Sequence, residues 1–465
     1  MIDLVDLTLA AAGDAVRRGD VSSLQLTEAT LERIAETEPL IHAYAHVYGE
    51  VALESARERD RELARGRWRG PLHGVPLAIK DLLATADAPT EAGSAALRGF
   101  STDHDAAVVE RLRAAGAVIA GKTVTHELAY GVNIPPTRSP WAPDYYPGGS
   151  SAGSGAAVAA RSAFAAIGTD TGGSIREPAA LNGLVGLKPT YGRVSRHGVV
   201  PLSPSLDHAG PMTRTVLDNA LLLAAIAGYD RRDPGSIDEP VPDYLASMDG
   251  GADGLRIGVE RDLFFGAGVW SDVADAVEAA LAELAELGAE VVEVRMPELT
   301  VMGPVGLTIL LAEGSAEHRA LLRERGAQLD AETRVMLELG ELIPATHHVQ
   351  ALRARSVLKD VTRQMFVAHG LDALIGPTMP TTTVPIDEAM KRDEDSEDPT
   401  AAAINAAIPA NVTGLPALTL PCGFSGDGLP IGVQLMGRPF SEATLYRLAR
   451  TYERNHDWAA RKPPL

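Results

Sequence analysis

Apolar positions in the first forty residues recur at helical spacing. Residues 3–38 predict two amphipathic helices, the second with Leu26, Ala29, Ile34 and Ala35 on one side and Ser22 and Ser23 placed to cap it. Residues 50–65 are charged throughout and predict a surface helix. The pattern then changes. Gly70-Pro71-Leu72-His73-Gly74-Val75-Pro76 is a turn-rich approach to a short apolar run, Leu77-Ala78-Ile79, which predicts a buried strand. That run ends at Lys80-Asp81. Residues 105–115 predict a helix closed by Gly116, and residues 117–121 a strand.

Residues 124–146 form a loop rich in proline and aromatic side chains, a composition that belongs on the surface and can line a site. Residues 187–206 read as short strand-like pieces, 212–227 as an apolar helix and 230–254 as a surface excursion. A strand at 255–259, an amphipathic helix at 273–287 and a strand at 289–294 follow. Residues 305–370 are mostly helical in pattern, and a strand begins at 374–378. Residues 391–399 read as a hydrophilic, mobile loop. Paired strands at 418–421 and 431–436 precede a closing helix at 441–454. This alternation predicts an α/β fold, a sheet covered by helices. No repeat or clean linker divides the chain, so residues 1–465 are expected to form a single domain.

Composition narrows the class. Hydrophobic residues at 45% and charged residues at 22% are ordinary for a soluble globular protein. A net charge of −20 argues against nucleic acid as a partner, since phosphate contacts need Lys and Arg. The single cysteine, Cys422, permits no internal disulfide and fits a reducing compartment. The first residues carry acids and no basic segment followed by an apolar one, and no apolar run is long enough to span a bilayer. The expectation is a cytoplasmic protein that does not engage a membrane.

Several short motifs lack the context their chemistry needs. Gly116 to Thr123 matches the phosphate-loop pattern G-x-x-x-x-G-K-T, but its middle is strand-like, and strand amides pair with neighbours instead of wrapping a phosphate. Ser356-Val357-Leu358-Lys359 matches S-x-x-K without a K-T-G companion and reads as one helical turn. His347-His348 has no ligand set at metal spacing, so solvent-facing histidines are expected and no metal. Gly149-Ser150-Ser151-Ala152-Gly153 fits the G-x-S-x-G nucleophile elbow, yet the proline-bounded residues before it do not suit a central strand.

Residues 147–189 hold two Gly-Ser clusters, Gly148-Gly149-Ser150-Ser151 and Gly172-Gly173-Ser174. Serine-based acyl transfer needs a nucleophile, a base and donors for the oxyanion. Without Cβ atoms, the Gly172 and Gly173 amides can turn toward one point as an anion-holding nest, with Ser174 at its end. A lysine at the end of a buried strand can lose its proton and act as base, which suits Lys80. Ser150 can stand between the two and pass a proton. The same glycines and serines also suit tight packing of helix on strand.

The longer stretches resemble the amidase signature family. They are Pro147-Gly148-Gly149-Ser150-Ser151 with Gly153-Ser154, residues 168–179 (GTDTGGSIREPA) and residues 183–190 (GLVGLKPT). Residues 74–81 (GVPLAIKD), 205–212 (SLDHAGPM) and 411–417 (NVTGLPA) are similar to further family segments. The likeness covers nearly the whole chain and is weakest in residues 230–370. It implies a large mixed, twisted sheet with helices on both faces, a signature core at about residues 70–215 and a variable helical, substrate-side region at about 300–370.

By the same resemblance Ser174 is the nucleophile, Ser150 a bridging serine held by a cis peptide, and Lys80 the neutral base. The backbone N–H groups of Thr171, Gly172, Gly173 and Ser174 would form the oxyanion hole, with Asp170 and Arg176 bracing the loop as an ion pair. Tyr130, Gly131 and Ser151 are candidate substrate-binding residues. Ala152 departs from the glycine or serine of many members, and alanine is small enough to serve. The implied enzyme is an amidase for small or aryl amides, open also to esters or carbamates, that needs no cofactor. Its partner would be a small amide-type substrate, and a homodimer stays open. The alternative is the A subunit of a glutamyl- or aspartyl-tRNA amidotransferase. Those subunits carry a Tyr- and Ser-rich segment after the core, whereas residues 311–319 (LAEGSAEHR) look like stand-alone amidases. A non-catalytic binding protein is disfavoured by the presence of all three triad candidates.

Overall fold

The computed structural model describes residues 3–266, 268–389, 403, 404 and 406–465. The hydrophilic loop expected at 391–399 lies outside the described residues. Eleven strands form one mixed sheet. They are β1 Tyr44–Val47, β2 Pro76–Lys80, β3 Val118–Thr123, β4 Ala165–Asp170, β5 Val185–Lys188 and β6 His208–Thr213. β7 Arg256–Val259, β8 Glu290–Glu293, β9 Ala373–Pro377, β10 Ala417–Phe424 and β11 Pro430–Gly437 complete it. Their spatial order is β1-β3-β2-β4-β6-β5-β10-β11-β9-β7-β8. β2 runs parallel to both β3 and β4, while β4 pairs antiparallel with β6.

Helices cover both faces, and the side chains of β2 show how. Leu77 and Ile79 enter a core with α1 (Leu9–Arg18), α4 (Ala107–Ala114) and α7 (Val216–Ile226). Ala78, between them, points the other way into a core with α2 (Ser23–Ile41), α5 (Ala152–Ala159) and α6 (Arg176–Leu181). A strand buried on both sides has no polar alternation, which is why this one reads as a continuous apolar run. α3 (Gly49–Ala64) is the charged surface helix expected near its position. Ser22 caps α2 through a capping box with Gln25.

α8 (Arg261–Phe264) and α9 (Ser271–Glu286) follow β7, and α10 (Met302–Glu317), α11 (Arg319–Arg325), α12 (Ala331–Glu341) and α13 (Ala345–Ala368) form a helical block between β8 and β9. Among the described residues no helix is long and apolar enough to cross a membrane.

One expectation needs correction. The apolar helix predicted over 212–227 begins only at Val216, after Thr215, whose side chain accepts the Asp218 N–H. Met212 and Thr213 end β6, a central strand whose Pro211 lies opposite Ile167. Gly210-Pro211 reads as a break, and a fully buried strand this short offers no alternation to offset that reading. The other decoys fall as expected. Lys122 and Thr123 are strand residues of β3, and Ser356 donates to the Leu352 carbonyl inside α13.

The core beneath α5 is lined by alanines because helix and sheet backbones nearly touch. A Cβ on Gly153 would fall against the Ala43 carbonyl oxygen and 2.5 Å from the Val124 nitrogen. Gly153→Ala is therefore expected to destabilise the protein by about 1–3 kcal/mol, read as a lower urea midpoint at unchanged m-value.

Candidate active site

β2 delivers Lys80 to the carboxyl end of the parallel strands, where open α/β sheets bind ligands. The side chain is fully buried. Nζ donates to Ser150 Oγ at 2.8 Å and to Thr169 Oγ1 at 2.9 Å. Burial disfavours the ammonium and pulls its pKa from 10.5 down to about 7, against the opposing pull of Asp170 and Asp207. Its sequence neighbour Asp81 pairs with Lys122 instead, at 2.8 Å.

Ser150 sits in a turn between an irregular segment and α5. The Gly149–Ser150 peptide is cis, and the Ser150 carbonyl accepts the His126 N–H at 3.2 Å. Ser174 lies in the loop between β4 and α6 and is partly exposed. Its carbonyl accepts the Ser151 N–H at 3.3 Å. Among the described residues its hydroxyl forms no hydrogen bond, so the structure joins Lys80 to Ser150 directly and sets Ser174 beside them without a bond to either.

The loop carrying Ser174 is organised by Asp170. Arg176 reaches that carboxylate with two nitrogens, Nε at 3.0 Å from Oδ2 and a terminal nitrogen at 3.1 Å from Oδ1, both side chains being fully buried. Asn411 Nδ2 donates to Oδ1 at 2.8 Å. Burial pushes the carboxyl up, but Arg176, Lys188 and Asn411 outweigh it and hold it well below the usual range. The expected bracing pair is formed. It also changes the expected nest: Gly173 donates its N–H to Asp170 Oδ1 at 2.8 Å, because a buried carboxylate takes every donor in reach. Thr171, Gly172 and Ser174 keep N–H groups without a partner among the described residues. A Cβ on Gly172 would meet nothing within 4 Å, so packing does not require glycine there.

Asp207 supports the same loop from the far side. It accepts Thr171 Oγ1 at 2.6 Å and the N–H groups of Leu202 and Ser203 at 2.9 and 3.0 Å. Burial lifts its pKa to about 6 against those donors. A cleft of about 230 Å³ opens here, with Thr169, Thr171 and Asp207 on its polar wall and Leu82, Val199 and Leu202 on its apolar one.

The candidate substrate contacts fare differently. The buried hydroxyl of Ser151 donates to the Thr169 carbonyl and accepts the Thr169 N–H, both at 3.2 Å, so it ties the turn to β4. The same bonds account for its place in the apparent nucleophile elbow. Tyr130 packs among Leu82 and Leu202, with its hydroxyl near Gly314 of α10, and Gly131 is exposed at φ +75°. Thr169, Asp207 and Asn411 stand inside stretches that carried the resemblance, yet no motif gave them a role. Glu177 stands in the 168–179 stretch in the same way, while His126 and Tyr146, which gather with it around Gly149, had no signal of their own. Among the described residues no group of three or more His, Cys, Asp or Glu side chains could hold a metal ion, and His347 is exposed.

The eleven-stranded mixed sheet with helices on both faces defines an α/β protein among the described residues. The Amidase family model matches residues 25–446, and the chain belongs to that family. It is 45% identical to an amidase of Pseudomonas putida over 100% of this chain and 99% of that one. It is 42% identical to the A subunit of the glutamyl-tRNA(Gln) amidotransferase of Chloroflexus aurantiacus (strain J-10-fl), over 100% of both chains. Among solved structures, the native peptide amidase of Stenotrophomonas maltophilia superposes with a TM-score of 0.86 at 37% identity, covering 98% of each chain.

Removing Arg176 would leave the Asp170 carboxylate buried with its strongest partner gone. Arg176→Leu is expected to cost about 3–5 kcal/mol of stability, measured by denaturant unfolding.

Proposed function

We propose that this chain is an amidase that cleaves the C–N bond of small or aryl amides through an acyl-Ser174 intermediate. The observation that carries the reading is the 2.8 Å hydrogen bond between Ser150 and a fully buried lysine whose pKa lies at about 7. A lysine in that state is neutral for much of the time near neutral pH and can accept a proton.

Ser174 Oγ attacks the carbonyl carbon while its proton passes to Ser150 Oγ, whose own proton passes to Lys80 Nζ. The carbonyl oxygen takes the negative charge and accepts from the free N–H groups of Thr171, Gly172 and Ser174. When the C–N bond breaks, the amine nitrogen takes the proton back through Ser150. Water then attacks the acyl-serine, losing its proton along the same path and releasing the acid. No step needs a cofactor or metal. The apolar wall of the cleft supports small apolar or aryl acyl groups, and esters or carbamates present the same carbonyl geometry. On this reading the enzyme works in the cytoplasm, alone or as a homodimer, without nucleic acid.

The second reading is the A subunit of a tRNA amidotransferase, which releases ammonia from glutamine within a complex. The 42% identity over full length to such a protein favours it. Purified chain should hydrolyse an aryl amide without a partner. Activity on glutamine alone, and only with a partner protein, would transfer the assignment to the second reading.

Ser174→Ala should abolish turnover and labelling by a fluorophosphonate; retained labelling would remove Ser174 from the nucleophile role. Lys80→Ala should lower kcat/KM by at least about a thousandfold. Burial lowers the lysine pKa and the base form is neutral, so kcat/KM should fall as pH drops through about 7 and level off above it. A profile flat from pH 5 to 9 would exclude this base.

A further inference from the structure

We propose that Glu177, together with Tyr146, is a positioning residue for the relay serine: its ionised carboxylate holds the Gly149 N–H and so sets Ser150 against Lys80. The inference rests on the proposed relay through Ser150.

α6 begins two residues after Ser174 and turns back onto the segment that leads to Ser150. It grips that segment at three successive residues. Asn182 Nδ2 donates to the Pro147 carbonyl at 2.6 Å. A Cβ on Gly148 would lie 2.7 Å from Pro178 Cα, so the turn lies directly against the helix backbone. Glu177 Oε1 accepts the Gly149 N–H at 3.2 Å. From the opposite side, His126 donates its backbone N–H to the Ser150 carbonyl. The His126 ring and the Tyr146 hydroxyl fill the space that a side chain on Gly149 would need, the hydroxyl at 2.6 Å. The peptide entering Ser150 is therefore held by one carboxylate and boxed in on its other sides.

The charge of that carboxylate matters because of what faces it. The Tyr146 phenol lies within the field of the Glu177 carboxylate, and His126 Nε2 lies 3.4 Å from the phenol oxygen. Burial, and then the positive charge of Lys80, push His126 down to about 3, so it is a neutral ring. Burial and the Glu177 charge keep the Tyr146 phenol protonated, as a donor. Asp170 faces Glu177 through space, while Arg176 turns away to Asp170 and Asn411. An ionised Glu177 accepts from Gly149 with the Tyr146 phenol beside it, and hydrogen bonds to a charged acceptor are roughly twice as strong as neutral ones. A protonated Glu177 must place its own proton among the same neighbours and grips less. Burial lifts Glu177 to about 7 against the Gly149 bond and the Tyr146 hydroxyl, so the grip changes within the range where Lys80 also titrates.

Two deprotonations then support activity, and both are lost as pH falls. The test is the pH dependence of kcat/KM on an aryl amide for wild type, Glu177→Gln and Tyr146→Phe, with fluorophosphonate labelling of Ser174 in each. Glutamine keeps an oxygen for the Gly149 N–H but cannot ionise. In wild type the acid limb should be steeper than a slope of one over about the first pH unit below about 7, and return to one once Glu177 is protonated. Glu177→Gln should reduce it to one and lower kcat about tenfold, with KM little changed. Tyr146→Phe removes a hydroxyl that favours the charged form, so the Glu177 midpoint should move to higher pH while the limb stays steeper than one. A wild-type slope of one, an unchanged slope in Glu177→Gln, or no shift in Tyr146→Phe would each overturn the proposal. The last stands alone should Glu177→Gln not fold. Absent labelling of Ser174 in wild type would take down the hydrolase reading itself; normal labelling with an unaltered limb in the variants would take down this inference only.

Discussion

A lysine is buried completely at the end of β2, and among the described residues no carboxylate forms an ion pair with it. An uncompensated ammonium in such a place costs several kcal/mol, and the surroundings are arranged so that the charge can be given up. Its acceptors are two hydroxyls, Ser150 and Thr169. The two carboxylates near enough to restrain it are each occupied by other donors. Asp170 is saturated by Arg176, Asn411 and two loop amides, and Asp207 by Thr171 and the amides of Leu202 and Ser203. Thr171, Leu202 and Ser203 belong to the loop and turn that frame the cleft, while Arg176 and Asn411 reach in from helices behind the loop. The unpaired lysine and the ordered loop thus come from one division of labour among buried charges.

That division explains which parts of the site could be read from the chain. Lys80 was legible because a lysine directly after three apolar residues contradicts the pattern it ends. Ser150 and Ser174 were legible through the glycines beside them. Asp170 and Arg176 were legible as a pair only through the family resemblance of residues 168–179. The Gly173 amide was not, since whether a loop N–H faces a guest or its own carboxylate is set by the path of the chain, and glycine permits both. Ser151 illustrates the same limit: a serine in a Gly-Ser cluster looks like chemistry, and here it laces a turn to a strand. Asp207 and Asn411 come from distant segments, and only the fold shows that both end on the 170–176 loop.

The fold divides in the same way. Strands of continuous apolar character, such as β2 and β9, and long amphipathic helices such as α9 appear in the sequence near their observed places. β6 does not, because a central strand carrying Gly210-Pro211 breaks the local rules that identify strands and is kept by its two neighbours in the sheet. The two Gly-Ser clusters answer different needs as well. At Gly148 glycine is required by the Pro178 backbone, while at Gly172 there is open space.

The helices between β8 and β9 are packed to the rest of the molecule by buried side chains, such as Met302, Leu358 and Phe366 against Leu374, Ile408 and Met436, and are hydrogen-bonded to the 201–205 turn and its surroundings. His318 bonds to the Pro201 carbonyl, Arg355 to the carbonyls of Ser205 and Val412, and Glu313 to the Ser205 amide as well as the Ser203 hydroxyl. Ser203 also gives its N–H to Asp207, which holds the Thr171 hydroxyl, so a change in the packing of this helical block reaches the 170–176 loop through two hydrogen-bonded side chains.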